Sequence, residues 1–255
     1  MRVPAGQDLE NAAVAAAQQA AELIRGVIGN GAALRTKSSP TDVVTPTDLR
    51  AEQLIRRELE RSVPGSSFIG EEYPEHEGTA GIAWVIDPID GTVNFLYDLP
   101  VIAVSIAAEI DGVVVAGAVC DVLRHETFSA SREMGARRDG DAISSSSVED
   151  LAAALVATGY SYDAVKRAEQ ATVVGRILPA ARDIRSMGSA ALQLCWVGCG
   201  RLDAYYERDL KRWDIAAGAL IAREAGAVVE FPSVDNGDLT VTAPPAIFDS
   251  LRSLL

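Results

Sequence analysis

The sequence has only two histidines among 255 residues, and this scarcity excludes several kinds of active site. His76 falls in a predicted loop and His125 beside a predicted strand, and neither has a suitable partner motif nearby. A Ser-His-Asp triad, a phosphohistidine mechanism and a histidine-rich zinc site are therefore poorly supported. A Walker-type glycine loop and the GxGxxG pattern of dinucleotide-binding proteins are also missing.

Cysteines are few as well, and long apolar runs are missing. Cys120, Cys195 and Cys199 are odd in number and lie in apolar runs, which predicts reduced thiols in the core of a cytoplasmic protein. No run approaches the ~20 apolar residues of a membrane-spanning helix. The N-terminus does not show the basic-then-apolar pattern of a signal peptide. We therefore expect a cytoplasmic protein that does not contact membranes.

The spacing of Cys195 and Arg201 matches the C-x5-R motif of cysteine-dependent phosphatases. That chemistry needs a thiolate beneath a loop of backbone N–H groups, between a strand and a helix. Here the motif lies at the end of a predicted apolar helix, with Leu194 before it and Leu202 after it. We interpret it as part of the core.

Basic residues are outnumbered, with 23 Lys and Arg against 36 Asp and Glu, a net charge of −13 and a pI near 4.6. A surface this acidic repels nucleic-acid backbones and anionic membranes, so we expect neither as a direct partner. A small anionic substrate would need a bound cation or a local positive group.

Strand and helix signals alternate irregularly along the chain. Helical spacing of apolar residues covers 8–28 and 45–63, and later helices are predicted over 163–178, over 190–199 and from Trp213. Asp111-Gly112 between two apolar runs is the strongest hairpin signal. The interleaving favours an α/β (α+β) layered sandwich with mixed sheets over a Rossmann fold or a barrel.

The segment 135–147, rich in Gly, Asp and Ser, is the best candidate for a boundary within the chain. We expect an N-terminal half, 1–142, that carries most of the acidic site residues described next. The C-terminal half, 143–255, would complete the site.

The stretch 83–95 combines a predicted buried strand with an abrupt acidic end. Pro88 disfavours helical backbone at Asp87, so we expect the strand to end there. Asp90 lies where a helix N-cap belongs. Two carboxylates, the Ile89 carbonyl and free backbone N–H groups would then share one strand end, which suits a hard cation and a phosphate.

Four acidic residues, Glu71, Asp87, Asp90 and Asp214, each lie at a predicted strand end or helix start. Taken singly, Asp48 is better explained as a carboxylate that complements a helix dipole, and the same explanation is available for Asp214. If the four converge, repulsion becomes decisive, because two unit charges about 4 Å apart repel by ~4 kcal/mol at an effective dielectric near 20. Divalent metals remove that cost and leave a Lewis-acidic site.

An ordered set of motifs then resembles the inositol monophosphatase family of metal-dependent phosphatases over nearly the full chain. The motifs are KSSPTDVVT at 37–45 before Asp48, IGEE at 69–72, WVIDPIDGTVNF at 84–95, GSAA at 188–191, AYYE at 204–207 and WDIAAG at 213–218. The resemblance implies a layered αβαβα sandwich of the sugar-phosphatase type. It also implies Mg²⁺-dependent hydrolysis of myo-inositol monophosphate by in-line attack of an activated water, inhibition by Li⁺, and a homodimer.

The resemblance further implies which residues hold the metals. Glu71, Asp87 and the Ile89 carbonyl would hold a first Mg²⁺. Asp87, Asp90 and Asp214 would hold a second, and Glu71 would help to hold a weaker third.

The same resemblance assigns the attacking water and the substrate. Thr92, hydrogen-bonded to Asp48, would orient the water together with Glu71, and the N–H groups of Gly91 and Thr92 would hold the phosphate. The full set of implied substrate contacts is Asp90, Gly91, Thr92, Gly188, Ser189, Ala190, Glu207 and Asp214.

The substrate within the family stays open at this point. Val93 resembles the inositol branch, since relatives that act on nucleotide bisphosphates or histidinol phosphate usually carry Lys there, and Glu207 suits a polyol. The alternatives are fructose 1,6-bisphosphate, histidinol phosphate and adenosine 3′,5′-bisphosphate. A protein-binding role is a further alternative, because some bacterial SuhB-type members also act with the transcription machinery. Two segments depart from the family pattern: the loop 73–81 is short, and 209–212 is unusually charged.

Overall fold

The structure is a computed structural model that describes residues 6–28, 35–36, 43–231 and 238–255. The sequence also predicts a polar turn at 37–42, a helix stop at 29–31 and a turn at 236–237, and these three segments lie outside the described residues. The described helices are α1 Gly6–Arg25, α2 Pro46–Ser62, α3 Thr92–Leu96, α4 Ala164–Ile177, α5 Ala190–Gly198, α6 Arg212–Glu224 and α7 Pro245–Arg252.

Two mixed sheets and a short two-stranded pair contain the described strands. The pair consists of β1 Arg35–Thr36 and β2 Val43–Val44. The larger sheet follows chain order: β3 Ser67–Gly70, β4 Ala83–Asp90, β5 Ala103–Ile110, β6 Val113–Asp121, β7 Glu126–Ser131, β8 Ala136–Arg138 and β9 Asp141–Ala142. The smaller sheet has the spatial order β11 Asp183–Arg185, β10 Leu155–Thr158, β12 Ala204–Arg208, β14 Leu239–Ala243 and β13 Val228–Glu230.

The elements stack in five layers, helix–sheet–helix–sheet–helix. On one face of the larger sheet, apolar residues pack with α1 and α2. On its other face they pack with α5 and α6, which also contact the smaller sheet. The outer face of the smaller sheet packs with α4 and α7. The predicted layered sandwich with mixed sheets is therefore confirmed.

The hairpin between β5 and β6 follows the prediction closely. Asp111 and Gly112 both adopt left-handed backbone, with φ of 51° and 76°, as a two-residue hairpin turn of this type requires.

Two predictions about the stretch 83–95 are wrong. The strand does not end at Asp87 but continues to Asp90, with one extra residue between these two relative to β5. Such a bulge accommodates Pro88, which has no N–H to donate to a ladder. Asp90 is not the N-cap of α3, because that position belongs to Gly91.

The segment predicted as a boundary, 135–147, carries β8 and β9, which extend the larger sheet. These strands are short and polar, so apolar alternation did not reveal them. Helices α5 and α6, from the second part of the chain, pack against the sheet built by the first. The division at 142/143 stays a prediction.

In the part of the chain that the structure describes, no helix is both long and apolar enough to cross a membrane.

Candidate active site

Asp48 is fixed at the start of α2. It is fully buried, and its Oδ2 accepts hydrogen bonds from the Thr45 N–H at 2.8 Å and the Thr45 hydroxyl at 2.5 Å. This reciprocal capping arrangement is the reason the helix begins there. Burial raises the pKa of Asp48, although the Thr45 hydrogen bonds oppose the shift.

Thr92 connects α2 to the end of β4. Its hydroxyl lies 3.3 Å from Asp48 Oδ1 and 3.0 Å from the Ile89 carbonyl oxygen. The single hydroxyl proton serves one of these acceptors at a time. The structure thus contains the hydrogen bond between Thr92 and Asp48 that the resemblance implied.

The carboxylates of β4 point in two directions. Asp87 Oδ1 accepts the Ile89 N–H at 3.0 Å within the bulge. Asp90 reaches the first turn of α5, where it accepts the Ser189 hydroxyl at 2.5 Å and the Ala191 N–H at 2.8 Å. Asp90 therefore complements the N-terminus of α5, about 100 residues away, instead of capping α3.

Glu71 and Asp214 come from two different elements near the end of β4. Strand β3 runs parallel to β4, so their carboxyl ends meet, and the Glu71 N–H donates to the Ile86 carbonyl at 3.2 Å. Asp214 lies in the first turn of α6 and accepts the Lys211 N–H at 2.6 Å.

Electrostatic repulsion links these carboxylates. Burial raises the pKa of Asp87 well above its ordinary value, and repulsion from Glu71, Asp90, Asp214 and Asp48 adds to the shift. Burial likewise raises the pKa of Asp214 well above normal and that of Asp90 to about 6. Carboxyl groups brought together at this cost are typical of functional sites.

The candidate metal-binding carboxylates lie near one another but do not point at a common centre. Among the described residues, no three His, Cys, Asp or Glu side chains stand in an arrangement that could hold a metal ion as placed. Asp87, Asp90 and Asp214 each accept backbone N–H groups instead. The donor chemistry, several buried carboxylates and a carbonyl, nevertheless fits a hard divalent cation.

The loop before α5 is held against α3 by Asn94, which the sequence analysis quoted only as part of a motif. Its side-chain amide donates to the carbonyls of Val101 and Met187, each at 2.8 Å. Gly188 follows with φ of 77°, and a Cβ there would crowd the Asn94 amide. This contact places Ser189 and Ala190 beside Asp90.

Glu207 lies on β12 and is held by its own strand. Its carboxylate accepts the Tyr205 hydroxyl at 2.6 Å, and burial raises its pKa to about 7. The charges of Asp90 and Asp214 add to the raised pKa of Tyr205, and the charge of Asp90 also adds to that of Glu207. The charge of Glu207 in turn helps to raise the pKa of Asp214. Tyr205 lies within the AYYE motif, but the motif alone does not indicate this role, because the role depends on a side-chain contact.

The first part of the C-x5-R motif belongs to the core, as predicted, and Arg201 at its end is exposed. Cys195 lies within α5 and is fully buried, and burial raises the pKa of its thiol well above normal. Arg201 pairs with Glu126 at 2.5 Å. A thiol held in its neutral form inside a helix is not a nucleophile.

A model of the inositol monophosphatase family matches residues 6–246. The chain belongs to the inositol monophosphatase family. Membership makes it a phosphatase, a hydrolase of phosphoric monoesters.

Three proteins show how closely the chain follows other members of the inositol monophosphatase family. The inositol-1-monophosphatase of Mycobacterium leprae (strain TN) is 46% identical over 246 residues, 90% of this chain and 83% of that protein. The Nus factor SuhB of Escherichia coli (strain K12) is 40% identical over 222 residues, 86% of this chain and 83% of that protein. The solved structure of the extragenic suppressor protein suhB from Bartonella henselae has a TM-score of 0.90 at 31% identity, and 96% of each chain is covered.

Proposed function

We propose that the protein is a Mg²⁺-dependent phosphatase that hydrolyses myo-inositol monophosphate to inositol and phosphate. The observation that carries the proposal is the environment of Asp87. This carboxylate is buried at the end of β4 within electrostatic range of Glu71, Asp90 and Asp214. Bound divalent cations would relieve the repulsion between these carboxylates and would offset the cost of burying Asp87.

Glu71, Asp87 and the Ile89 carbonyl would hold a first Mg²⁺, and Asp87, Asp90 and Asp214 a second, with Glu71 helping to hold a third. When bound, the cations would supply Lewis-acid activation of water and stabilisation of the departing alkoxide. Every donor on this set is an oxygen, the ligand type that Mg²⁺ prefers.

The chain's own groups would place the attacking water. The Thr92 hydroxyl donates to either Asp48 or the Ile89 carbonyl. Its lone pairs are thereby oriented, and it would accept a hydrogen bond from a water whose other proton passes toward Glu71.

The substrate would lie between residues that follow β4 of the larger sheet and residues from the C-terminal part of the chain. The N–H groups of Gly91 and Thr92 would hold phosphate oxygens at the start of α3. The inositol hydroxyls would contact Asp90, Ala190 and Glu207, with Gly188, Ser189 and Asp214 completing the pocket wall. Glu207, a carboxylate confined by Tyr205, favours a polyol over a substrate without hydroxyls.

Three further properties belong to the same proposal. We expect inhibition by Li⁺ and a homodimer, both on the strength of family membership. We also expect a cytoplasmic location, supported by the free state of Cys120, Cys195 and Cys199.

Phosphate release tests the proposal. The purified protein should release phosphate from inositol monophosphate only with Mg²⁺, and a chelator should abolish the release. Asp90→Asn should lower kcat/KM by at least ~100-fold, since each ~1.4 kcal/mol of lost transition-state stabilisation is tenfold. Undiminished turnover in that variant would refute the site assignment.

The same assay separates the substrates. Comparison of kcat/KM for inositol monophosphate, fructose 1,6-bisphosphate, histidinol phosphate and adenosine 3′,5′-bisphosphate identifies the preferred ester. A preference for any of the last three would keep the chemistry and replace the substrate.

A second candidate role is protein binding, which the 40% identity to a protein named a Nus factor favours. A partner captured equally well by the Asp90→Asn variant would support it. Loss of every captured protein under mild salt would count against it.

A further inference from the structure

Helix α2 presents three charged side chains along one stripe toward the proposed site. Asp48, Glu52 and Arg56 are spaced four residues apart and therefore share a helix face. Asp48 contacts Thr92, as described above. Glu52 and Arg56 contact a different part of the site, the chain that follows Glu71.

Glu52 is fully buried behind this chain. Its Oε2 accepts the backbone N–H of Glu72 at 2.8 Å. A Cβ on Gly70 would overlap the Glu52 carboxylate, so the glycine before Glu71 is what allows the approach. The peptide group directly after Glu71 is thus tied to α2.

Arg56 extends the same grip along the loop. It forms an ion pair with Glu52 at 2.7 Å, and its guanidinium donates to the carbonyls of Tyr73 at 3.1 Å and Pro74 at 3.2 Å. The guanidinium also lies 5.6 Å from the ring centroids of Phe68 and Tyr73. Its planar fork serves several acceptors at once, which an ammonium group does not reproduce.

Contacts with β4 before Glu71 and contacts with Glu52 and Arg56 after it fix the backbone on both sides of this residue. The Glu71 N–H is bonded to the Ile86 carbonyl of β4. Beyond Glu71, the Glu72 N–H is bonded to Glu52, and the carbonyls of Tyr73 and Pro74 are bonded to Arg56. A buried ion pair adds little net stability compared with apolar residues. This pair is better explained by the geometry that it imposes on the loop.

We propose that Glu52 and Arg56 are positioning residues that fix the direction of Glu71 toward the metal donors. The inference rests on the proposed function of Glu71. It predicts that weakening the pair lowers the affinity for Mg²⁺ while leaving the binding of the alcohol nearly unchanged. Groups that orient metal ligands typically contribute about 10–100-fold in metal affinity or activity.

The test uses Glu52→Gln and Arg56→Lys in the full-length protein. Each should raise the Mg²⁺ concentration for half-maximal phosphate release by roughly tenfold or more, with KM for inositol monophosphate changed by less than about twofold. A second measurement does not depend on activity: Mg²⁺ alone should raise the melting temperature of each variant less than it raises that of the wild type. In metal-free protein, amide hydrogen exchange at Glu72 should be roughly tenfold faster in the variants than in the wild type.

Glu10→Gln is the matched control for a purely structural effect. Glu10 is also a buried helical carboxylate, and it accepts the hydroxyls of Ser129 at 2.7 Å and Ser131 at 2.5 Å, away from the end of β4. It should lower stability without changing the Mg²⁺ requirement. If the Glu52 and Arg56 variants shift that requirement no more than Glu10→Gln does, the proposal is wrong.

The two proposals fail differently. Wild-type protein that releases no phosphate with Mg²⁺ would refute the proposed function. Unchanged exchange at Glu72 in both variants would refute the positioning role even if the wild type is fully active.

Discussion

At the scale of single residues, Glu207 is a proposed substrate contact, and Tyr205 is the residue that holds its carboxylate in place. The Tyr205 hydroxyl donates to the Glu207 carboxylate at 2.6 Å; Tyr205 is fully buried and Glu207 is partly buried. A Cβ on Gly159 would overlap that carboxylate, so glycine is required beside it. The carboxylate is therefore confined to one position.

Tyr205→Phe should change specificity more than chemistry. Loss of a hydrogen bond to a charged group is worth about 1.5–3 kcal/mol, so KM for inositol monophosphate should rise by roughly tenfold or more. Turnover of p-nitrophenyl phosphate, which has no polyol hydroxyls, should change by less than about twofold. Steady-state kinetics on both substrates measures the difference.

Tyr206→Phe provides the comparison. Tyr206 is the next residue on β12 and packs in the core on the other face of the smaller sheet, so its hydroxyl should not affect either substrate. Equal losses on both substrates in Tyr205→Phe would show that the tyrosine supports only the fold.

The sequence indicates candidate site residues more readily than it indicates the groups that contact them. Glu71, Asp87, Asp90 and Asp214 were recognisable from their positions at strand ends and helix starts. The direction of Asp90 was not, because its partners in α5 lie about 100 residues away and are fixed only by tertiary packing. Glu52 carries no local signal for the same reason, and the AYYE motif does not reveal that Tyr205 contacts Glu207.

At the scale of elements, the end of β4 depends on backbone geometry that few residues allow. The bulge between Asp87 and Asp90 leads into Gly91, whose φ of 98° is left-handed. A Cβ on Gly91 would lie 2.8 Å from the Val101 carbonyl oxygen. This glycine therefore combines a conformational and a steric requirement.

Gly91→Ala should destabilise the fold and remove activity together. The left-handed backbone alone costs a non-glycine residue about 1–2 kcal/mol, and the crowding at Val101 adds to that cost. We expect a loss of about 3 kcal/mol in the free energy of unfolding, measured by urea denaturation, and loss of phosphate release.

Gly81→Ala separates the cost of the left-handed backbone from the cost of crowding at Val101. Gly81 is also left-handed, with φ of 73°, but a Cβ there would meet open space. It should cost only about 1–2 kcal/mol and leave activity unchanged. If both variants lose equal stability, crowding at Val101 contributes nothing.

Long periodic elements were predictable and short polar ones were not. The helices α1, α2 and α4 and the β5–β6 hairpin follow from apolar spacing, capping residues and the Asp111-Gly112 turn. The strands β8, β9 and β11 contain two or three residues each, so no periodicity could develop. The bulge in β4 depends on pairing with β5, which the local sequence around Pro88 does not encode.

At the scale of the whole molecule, the buried carboxylates link stability to pH. Burial raises the pKa of Asp90 to about 6 and of Glu207 to about 7, and it raises those of Asp87 and Asp214 well above normal. A carboxyl with a higher pKa in the folded chain favours folding while it is protonated. This contribution is complete below about pH 4, where the unfolded chain is also protonated, and it is lost as the pH rises through 6 and 7.

The metal-free protein should therefore lose stability between pH 5 and pH 8. Saturating Mg²⁺ should raise the melting temperature by at least about 5 °C at pH 8 and by less at pH 5, where protons compete for the same oxygens. Thermal unfolding with chelator and with Mg²⁺ at both values measures this.

Asp90→Asn should flatten that pH dependence, since it removes one of the groups that titrate in this window. A Mg²⁺ shift that is equal at the two pH values, or a pH dependence unchanged in the variant, would show that other carboxylates govern stability.

The central claim is that carboxylates distant in the sequence share divalent cations beside β4. The most direct measurement is a crystal structure of the protein soaked with Mn²⁺, with anomalous difference maps that locate the ions. We predict ions bound by Asp87 together with Glu71, and by Asp87 together with Asp90 and Asp214. Ions found only elsewhere, with Asp87 bound to none, would contradict the account.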